Sequence, residues 1–233
     1  MPVKKCLTRQ RPVIAVGTKK PELVGLYKNP GQAWRNTGNP RHVNLHDFPD
    51  QQLGKAVPSG VYDMGQTVGW VNVGCDNDPA SFALESIRRW WVPMGQPLYP
   101  KTRTLLLCAD SGGSHGDRGR WWKRELQRRA HSLGLEVTVC HFPAGPSKWH
   151  KIDHRLCAHL SMTWRGQPWI SHEVIVELIG TTTTTGGLHG DAQLDTHTYP
   201  TKITVSDEER ATRNLQPHAL HGAWNYTVKP RRP

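Results

Sequence analysis

Thr104-Leu105-Leu106-Leu107-Cys108-Ala109-Asp110-Ser111-Gly112-Gly113-Ser114 runs an apolar stretch, Leu105 to Ala109, straight into a carboxylate and then into a turn of small residues. A short continuous apolar run bounded by turn residues predicts a fully buried strand in a mixed or parallel sheet. Asp110 then stands at the carboxyl end of that strand, where open α/β sheets place their ligands. Read alone, Asp110 is either the cap of the next helix or a ligand for metal or phosphate. Capping is the commoner use of Asp and Ser before a helix.

Downstream, the spacing of Trp122, Leu126, Ala130 and Leu133 predicts a helix from about Asp117 to Ser132. Its other face carries Arg120, Lys123, Arg124, Arg128 and Arg129, either a solvated charge run or a nucleic-acid contact. Leu135 to Phe142 reads as a strand and Pro143 to Ser147 as a turn. A helix is expected from Lys148–Lys151 to about Thr163, burying Ile152, Leu156 and Leu160, with Asp153 beside that face. Ser171 starts another helix through Val174–Ile179, and a short one is expected at Asp207 to Asn214.

Upstream, Val13-Ile14-Ala15-Val16 is a first buried strand ended by Gly17. Residues 19 to 69 are dense in turn signals, among them His46-Asp47-Phe48-Pro49-Asp50 and Val57-Pro58-Ser59-Gly60, and read as hairpins and loops. Trp70 to Gly74 is the next strand, and Asp78 or Ser81 starts a helix stopping before Pro93. The fold class is therefore α/β: a mixed sheet flanked by helices, with a long hairpin region after the first strand. Residues 1–180 form the core and 181–233 a polar C-terminal extension.

Across 233 residues, 30 Lys and Arg face 19 Asp and Glu, a formal net charge of +11 that points to a polyanionic partner, nucleic acid before membrane. The ten Trp supply core or stacking platforms for unpaired bases. Five scattered cysteines, Cys6, Cys75, Cys108, Cys140 and Cys157, read as reduced thiols of a cytosolic protein. No apolar run is long enough to span a membrane. The amino end is short before the first strand, as in a truncated chain.

The order of elements can bring Asp110 and Asp153 together over one sheet edge. Carboxylates held so bind Mg²⁺ or Mn²⁺, and two such ions suit phosphodiester chemistry. A zinc module of Cys140, His141, His154 and Cys157 is the weaker alternative, because the Cys-His pair is adjacent within a strand. Asp63 and Asp76 read as turn or surface residues, and His115, His141, His150 and His154 as surface residues near the carboxylates.

Several segments together carry a resemblance. They are Ala109-Asp110-Ser111-Gly112-Gly113-Ser114-His115-Gly116, Trp121-Trp122-Lys123-Arg124-Glu125-Leu126-Gln127, Gly145-Pro146-Ser147-Lys148-Trp149-His150-Lys151-Ile152-Asp153-His154-Arg155-Leu156, Glu85-Ser86-Ile87-Arg88-Arg89-Trp90-Trp91 and His221-Gly222-Ala223-Trp224-Asn225-Tyr226. In these the chain resembles the Rhodopirellula-type DDE transposases of bacterial insertion sequences over nearly its whole length. The resemblance implies a ribonuclease H-like fold, DNA transposition by metal-dependent cleavage and strand transfer, and a two-ion Mg²⁺ or Mn²⁺ site. It makes Asp110 the second catalytic and metal-binding Asp. Asp153 stands where the pattern has Glu, and Gly17 where it has the first Asp.

A transposase with weakened metal binding and impaired catalysis follows; the alternative is a non-catalytic nucleic-acid-binding remnant. Arg120, Lys123, Arg124, Arg128, Lys148 and Lys151 are the expected DNA contacts. The implied partners are insertion-sequence ends and target DNA, with room for a homo-oligomer and none for a membrane, in the nucleoid-associated cytoplasm. Gly17→Asp is expected to fold and to restore a three-carboxylate site.

Overall fold

The computed structural model describes residues 2–45, 50, 52–77, 79–112, 119–143 and 149–231. The turn at His46–Pro49, the helix starts at Asp78 and Asp117, His115, and Lys148 as a DNA contact lie outside the described residues.

Among the described residues one sheet of nine strands organises the chain. Its centre is β1 (Val13–Thr18), paired in parallel with β5 (Thr104–Asp110), itself parallel to β6 (Glu136–Phe142). On the other side of β1 lie β3 (Lys55–Asp63) and β4 (Val68–Gly74), both joined antiparallel, and the two-residue β2 (Glu22–Leu23) adds to β3. Residues beyond 180, expected as an extension, add strands at both margins. There β7 (His189–Asp195) runs parallel to β4, and β9 (Asn225–Val228) joins β6 to β8 (Leu215–Pro217).

Strand alternation divides the apolar residues between two faces. Ile14, Val16, Leu105, Leu107, Ala109, Val137 and Val139 face α2 (Ala80–Trp90) and α4 (Arg120–Leu133), whose Ala83, Ile87, Trp90 and Trp122, Leu126, Ala130 stripes they bury. Gly134, at φ 63°, ends α4 in the left-handed conformation that glycine adopts without penalty. On the opposite face, Val13, Ala15, Leu106 and Cys108 meet Ile152, Leu156 and Leu160. Those three come from a helix that passes through a π-helical turn, Asp153–Cys157, into α5 (Ala158–Thr163). The helix α6 (His172–Gly180), capped by the Ser171 side chain on Val174 N–H, and the amino-terminal α1 (Pro2–Thr8) pack on this side too.

Several local expectations change. Val57-Pro58-Ser59-Gly60 is strand, not turn. Pro58 turns its carbonyl to Lys19 N (2.9 Å), so the N–H it lacks would face the same side, just where the β1 ladder ends. The helix expected to stop before Pro93 instead widens into a π-helical turn, Trp91–Gly95, and resumes as α3 (Gln96–Leu98). The wider turn gives the proline ring room it would lack in a regular helix. Asp207–Ala211 forms α7, shorter than expected, with Ser206 and Glu209 completing a capping box.

Glycines set how closely the Ile152 helix lies on the sheet. Gly17 pairs with Gly60 across the β1–β3 ladder. A Cβ on Gly60 would come within 2.9 Å of Ile152 Cδ1, and one on Gly69 within 2.4 Å of Leu156 Cδ1. These two glycines are a track into which the helix sinks, so side chains there would force Ile152 and Leu156 outward.

Candidate metal centre and nucleic-acid surface

Asp110 is the last residue of β5, and the β1–β5 register (Val13 with Leu106, Ala15 with Cys108) brings Gly17 level with it when continued by two residues. Asp110 and Gly17 thus share a face at the carboxyl ends of the parallel strands. Asp153 opens the π-helical turn of the helix above that face. Its carboxylate is 41 % exposed and that of Asp110 54 %, so both reach solvent.

Between them stands His150, only 1 % exposed and therefore not the surface residue its sequence neighbourhood suggests. Its Nδ1 lies 3.4 Å from Asp110 Oδ2 and 3.4 Å from Asp153 Oδ2. Neither contact has the geometry of a hydrogen bond, and Nδ1 is a buried polar atom without such a partner. The other ring nitrogen, Nε2, donates to the Val16 carbonyl at 2.9 Å, a carbonyl being able only to accept. The ring packs on Phe142 with centroids 5.6 Å apart. Burial disfavours protonation of His150, yet the Asp110 and Asp153 carboxylates and the Val16 carbonyl hold its pKa above the ordinary histidine value.

His150 also occupies the space over Gly17. A Cβ placed on Gly17 would meet His150 Cε1 at 3.0 Å and Ile152 Cγ2 at 3.2 Å. The carboxylate expected to be installable at position 17 therefore needs His150 to move.

A second network fixes Asp110 from behind. Trp122 Nε1–H donates to Tyr226 Oη at 2.8 Å, Tyr226 Oη is 3.1 Å from His141 Nε2, and His141 Nδ1 is 3.0 Å from the Asp110 carbonyl. The carbonyl only accepts, so His141 carries its proton on Nδ1, and Nε2 accepts from the tyrosine. Sequence reading placed His141 on the surface; it is buried, and the signal for it was its alternation with Val139 and Val137 toward the apolar face.

Alternation also separates Cys140 from His141, so the zinc grouping does not assemble. Among the described residues no group of three or more His, Cys, Asp or Glu is placed to hold a metal ion. The cysteines are free thiols, and burial pushes that of Cys157 up to about 12, far from a reactive thiolate. Asp63 is not a surface residue: it is fully buried, accepts from Gly65 N, Gln66 N and the Tyr99 hydroxyl, and burial raises its pKa. It pairs with Ile14 near the start of β1, away from Gly17.

The basic residues of α4 divide. Arg129 is drawn inward to Glu85 (2.8 Å), Arg128 pairs with Glu125 (2.7 Å), and Arg124 with Glu209 of α7 (2.8 Å). Arg120 lies 3.6 Å from Asp207, and Lys123 Nζ rests 5.1 Å from the centre of the Tyr226 ring. Arg120 and Lys123 join Arg210, Arg213 and Leu215 in lining a groove of about 380 Å³, where Arg213 Nη1 is buried without a hydrogen-bond partner. Lys151 is exposed beside the carboxylates. Most tryptophans serve the core, while Trp34 and Trp149 are exposed, the latter next to His150. Among the described residues no helix is long and apolar enough to cross a membrane.

A sheet with antiparallel strands on one side of β1, parallel strands on the other, and acidic residues over the parallel carboxyl ends defines a ribonuclease H-like domain. The chain belongs to the family of the Rhodopirellula transposase DDE domain, which it matches over residues 2–230. Comparison with curated proteins finds no match. Among solved structures it is similar to a pre-cleavage Mos1 transpososome, at 15% identity and TM-score 0.47, over 75% of this chain and 50% of that one. It is similar too to a Mos1 transposase paired-end complex with the left transposon end, at 15% identity and TM-score 0.46, with 75% and 50% covered. The chain spans about half the length of these Mos1 chains.

Proposed function

We propose that this chain is the catalytic part of a bacterial DNA transposase, cleaving and joining phosphodiester bonds at a divalent-metal site built on Asp110 and Asp153. What carries the reading is the meeting of these two carboxylates around His150, on the face and level of Gly17. Two half-exposed carboxylates would offer a divalent cation the oxygen ligands it favours, the rest of its shell being left to water and phosphate oxygens. When bound, such ions supply an activated water and offset the charge building on the leaving oxygen. The protein's part is to hold the oxygens of Asp110 and Asp153 at one solvent-open edge, with the His141–Tyr226–Trp122 chain fixing the strand end that carries Asp110.

The groove of Arg120, Lys123, Arg210 and Arg213 suits DNA phosphates, with the exposed Lys151 as a further basic residue. Insertion-sequence ends and target DNA are the proposed substrates. With glycine at the first-Asp position, the rate falls about a thousandfold or more below that of a three-carboxylate site, since oxyanion and metal stabilisation supplies much of the barrier lowering.

Nicking of supercoiled plasmid with Mn²⁺ or Mg²⁺ tests this. The parent should nick slowly, and Asp110→Asn and Asp153→Asn should not nick at all. Metal-independent nicking, or nicking unchanged in both variants, overturns the assignment. The second reading, a non-catalytic nucleic-acid-binding remnant, is favoured by Gly17 itself, and salt-sensitive DNA binding without any metal-dependent nicking would establish it.

A further inference from the structure

Trp34 is wholly exposed, at 102 %, on a loop whose backbone is nonetheless held in place. The base of the loop is closed by Lys28 N–H on the Asn44 carbonyl (3.0 Å) and Asn44 N–H on the Leu26 carbonyl (2.8 Å). Its near side is tied to the turn after α5, where Gly166 N–H donates to the Pro30 carbonyl at 2.9 Å and Asn29 Nδ2 to the Gln167 carbonyl at 2.6 Å. A Cβ on Gly166, which is at φ +67°, would lie 2.8 Å from Ala33 N, so the chain just before Trp34 rests directly on this glycine. The indole therefore buries nothing in the fold, while the loop presents it at a fixed place.

The surroundings of Trp34 are positive and unneutralised. From Val24 to His46 the sequence holds Lys28, Arg35 and Arg41 and no Asp or Glu. All three are exposed, and among the described residues none has a carboxylate partner, unlike Arg124, Arg128 and Arg129 of α4. They line a groove of about 260 Å³ together with Ala33 and Gly166, and Trp34 stands between Ala33 and Arg35 in the chain. The anchor also connects the loop to the proposed site. Lys19, two residues past Gly17, sits 4.8 Å from the centre of the Trp164 ring, and Gly25 N–H donates to the carbonyl of the neighbouring Trp169 at 2.7 Å. Trp164 closes the helix that Asp153 opens, roughly 16 Å away at about 1.5 Å per residue. That distance is the span of about five nucleotides at roughly 3.4 Å per step of one strand.

We infer that the loop from Lys28 to Asn44 is a DNA-binding arm, in which Trp34 stacks on an unpaired base several nucleotides from the cut while Lys28, Arg35 and Arg41 hold the flanking phosphates. The inference rests on the proposed reading of the chain as a DNA transposase. An aromatic face beside a positive groove is the combination that binds single strands, because every base has a face to stack and every nucleotide a phosphate. A second copy of this chain, itself at net +11, is the occupant that the charge of the arm disfavours.

The test uses the full chain without added metal, so that Asp110 and Asp153 play no part in it. The probes are a single-stranded oligothymidylate and a duplex of equal length, with affinities read by fluorescence anisotropy. Trp34→Ala should bind the single strand about tenfold more weakly, within the range for losing one base–aromatic stack, and the duplex about as well as the parent. Trp34→Leu, apolar but without a ring, should fall as far, and Trp34→Phe should recover most of the loss; this pair decides the matter should Trp34→Ala fail to fold. Arg35→Ala and Arg41→Ala should each lower the salt slope of single-strand binding by roughly 0.7, which Trp34→Ala should not. Single-strand affinity that is unchanged in Trp34→Ala, or lost equally for the duplex, overturns the stacking role and leaves the reading of Asp110 and Asp153 intact. Dissociation of an oligomer by Trp34→Ala in sedimentation, with DNA binding unchanged, assigns the arm to contact between copies and also overturns it. A parent that binds neither probe at low salt overturns the DNA reading as a whole.

Discussion

Two groups of acidic residues lie in this sheet's surroundings, and they are completed in opposite ways. Around Glu85, at the α2–α4 contact, Arg88 (2.6 Å), Arg89 (3.3 Å) and Arg129 (2.8 Å) all bind one carboxylate. Arg89 continues to Asp195 of β7 at 3.0 Å, and Asp195 also accepts from Asn72 (3.0 Å) and Tyr199 (2.7 Å). Burial raises the pKa of each acid, but Arg88, Arg129 and Arg89 outweigh it for Glu85, and Tyr199, Asn72 and His197 outweigh it for Asp195. Both pKa values end below the ordinary range. Around Asp110 and Asp153 the carboxylates are half exposed and the central nitrogen has no hydrogen bond. The first group is saturated and ties α2, α4, β4 and β7 together. The second stands half exposed at a solvent edge, where a ligand can reach its carboxylate oxygens.

Removing one carboxylate from each group gives the sharpest contrast. Asp110→Asn should abolish metal-dependent nicking, a loss of about a thousandfold or more, while shifting unfolding stability by under about 0.5 kcal/mol. A variant that unfolds would show that Asp110 belongs to the structural kind. Glu85→Ala should do the reverse, costing about 3 kcal/mol by leaving the Arg129 guanidinium buried without its carboxylate. Denaturant titration measures it, and a loss below about 1 kcal/mol would mean the Glu85 cluster is held by packing alone.

Acid should separate the groups in the same direction. A carboxyl whose folded pKa is depressed contributes stability that is complete above its unfolded value and lost as pH falls through the folded value. For Glu85 the loss begins near its ordinary value of 4.5 and for Asp195 near 3.8, continuing below. Glu85→Gln should flatten the upper part of that slope, as thermal unfolding from pH 6 downward would show; an unchanged slope would assign the acid sensitivity elsewhere.

Tyr226→Phe removes the hydroxyl between Trp122 and His141. The expected cost is about 1–2 kcal/mol, since a buried indole N–H and an imidazole nitrogen are both left unpaired. A larger fractional fall in nicking than in stability would show that the chain positions Asp110. The smallest effect concerns DNA. Arg120→Ala and Lys123→Ala should each lower the salt slope of binding by roughly 0.9, while Arg129→Ala, whose charge is spent on Glu85, should not.

Much of this fold could be read from the chain, and the places where it could not share a cause. Strands β1 and β5 are apolar runs because both faces are covered, β6 shows itself by alternation, and α4 and α6 announce themselves by spacing and by Gly134 and Ser171. Strand β3 was hidden because Pro58 and Gly60 are turn residues by composition. They are tolerated there by the end of a neighbouring ladder and the close approach of Ile152, both of which are non-local facts. Strand β7 was hidden because it is an edge strand, half exposed, and so reads His-Gly-Asp-Ala-Gln-Leu-Asp. At the site, Asp110 and Asp153 could be named from strand-end and helix-start positions. His150 could not, because its burial depends on a glycine 133 positions earlier in the chain (150 − 17) that leaves room for the ring. His141 and Tyr226 were likewise separate in sequence and joined only by the β6–β9 pairing.

The contact between His150 and Gly17 makes the sites' mutational histories inseparable. A single change at position 17 to any residue with a side chain meets a ring 3.0 Å away that is itself anchored to the Val16 carbonyl. Replacing His150 first clears that space; replacing Gly17 first does not. The two orders are therefore unequal routes between the same end states. A library randomised at 17 and 150 together should therefore tolerate side chains at 17 more widely than one randomised at position 17 alone.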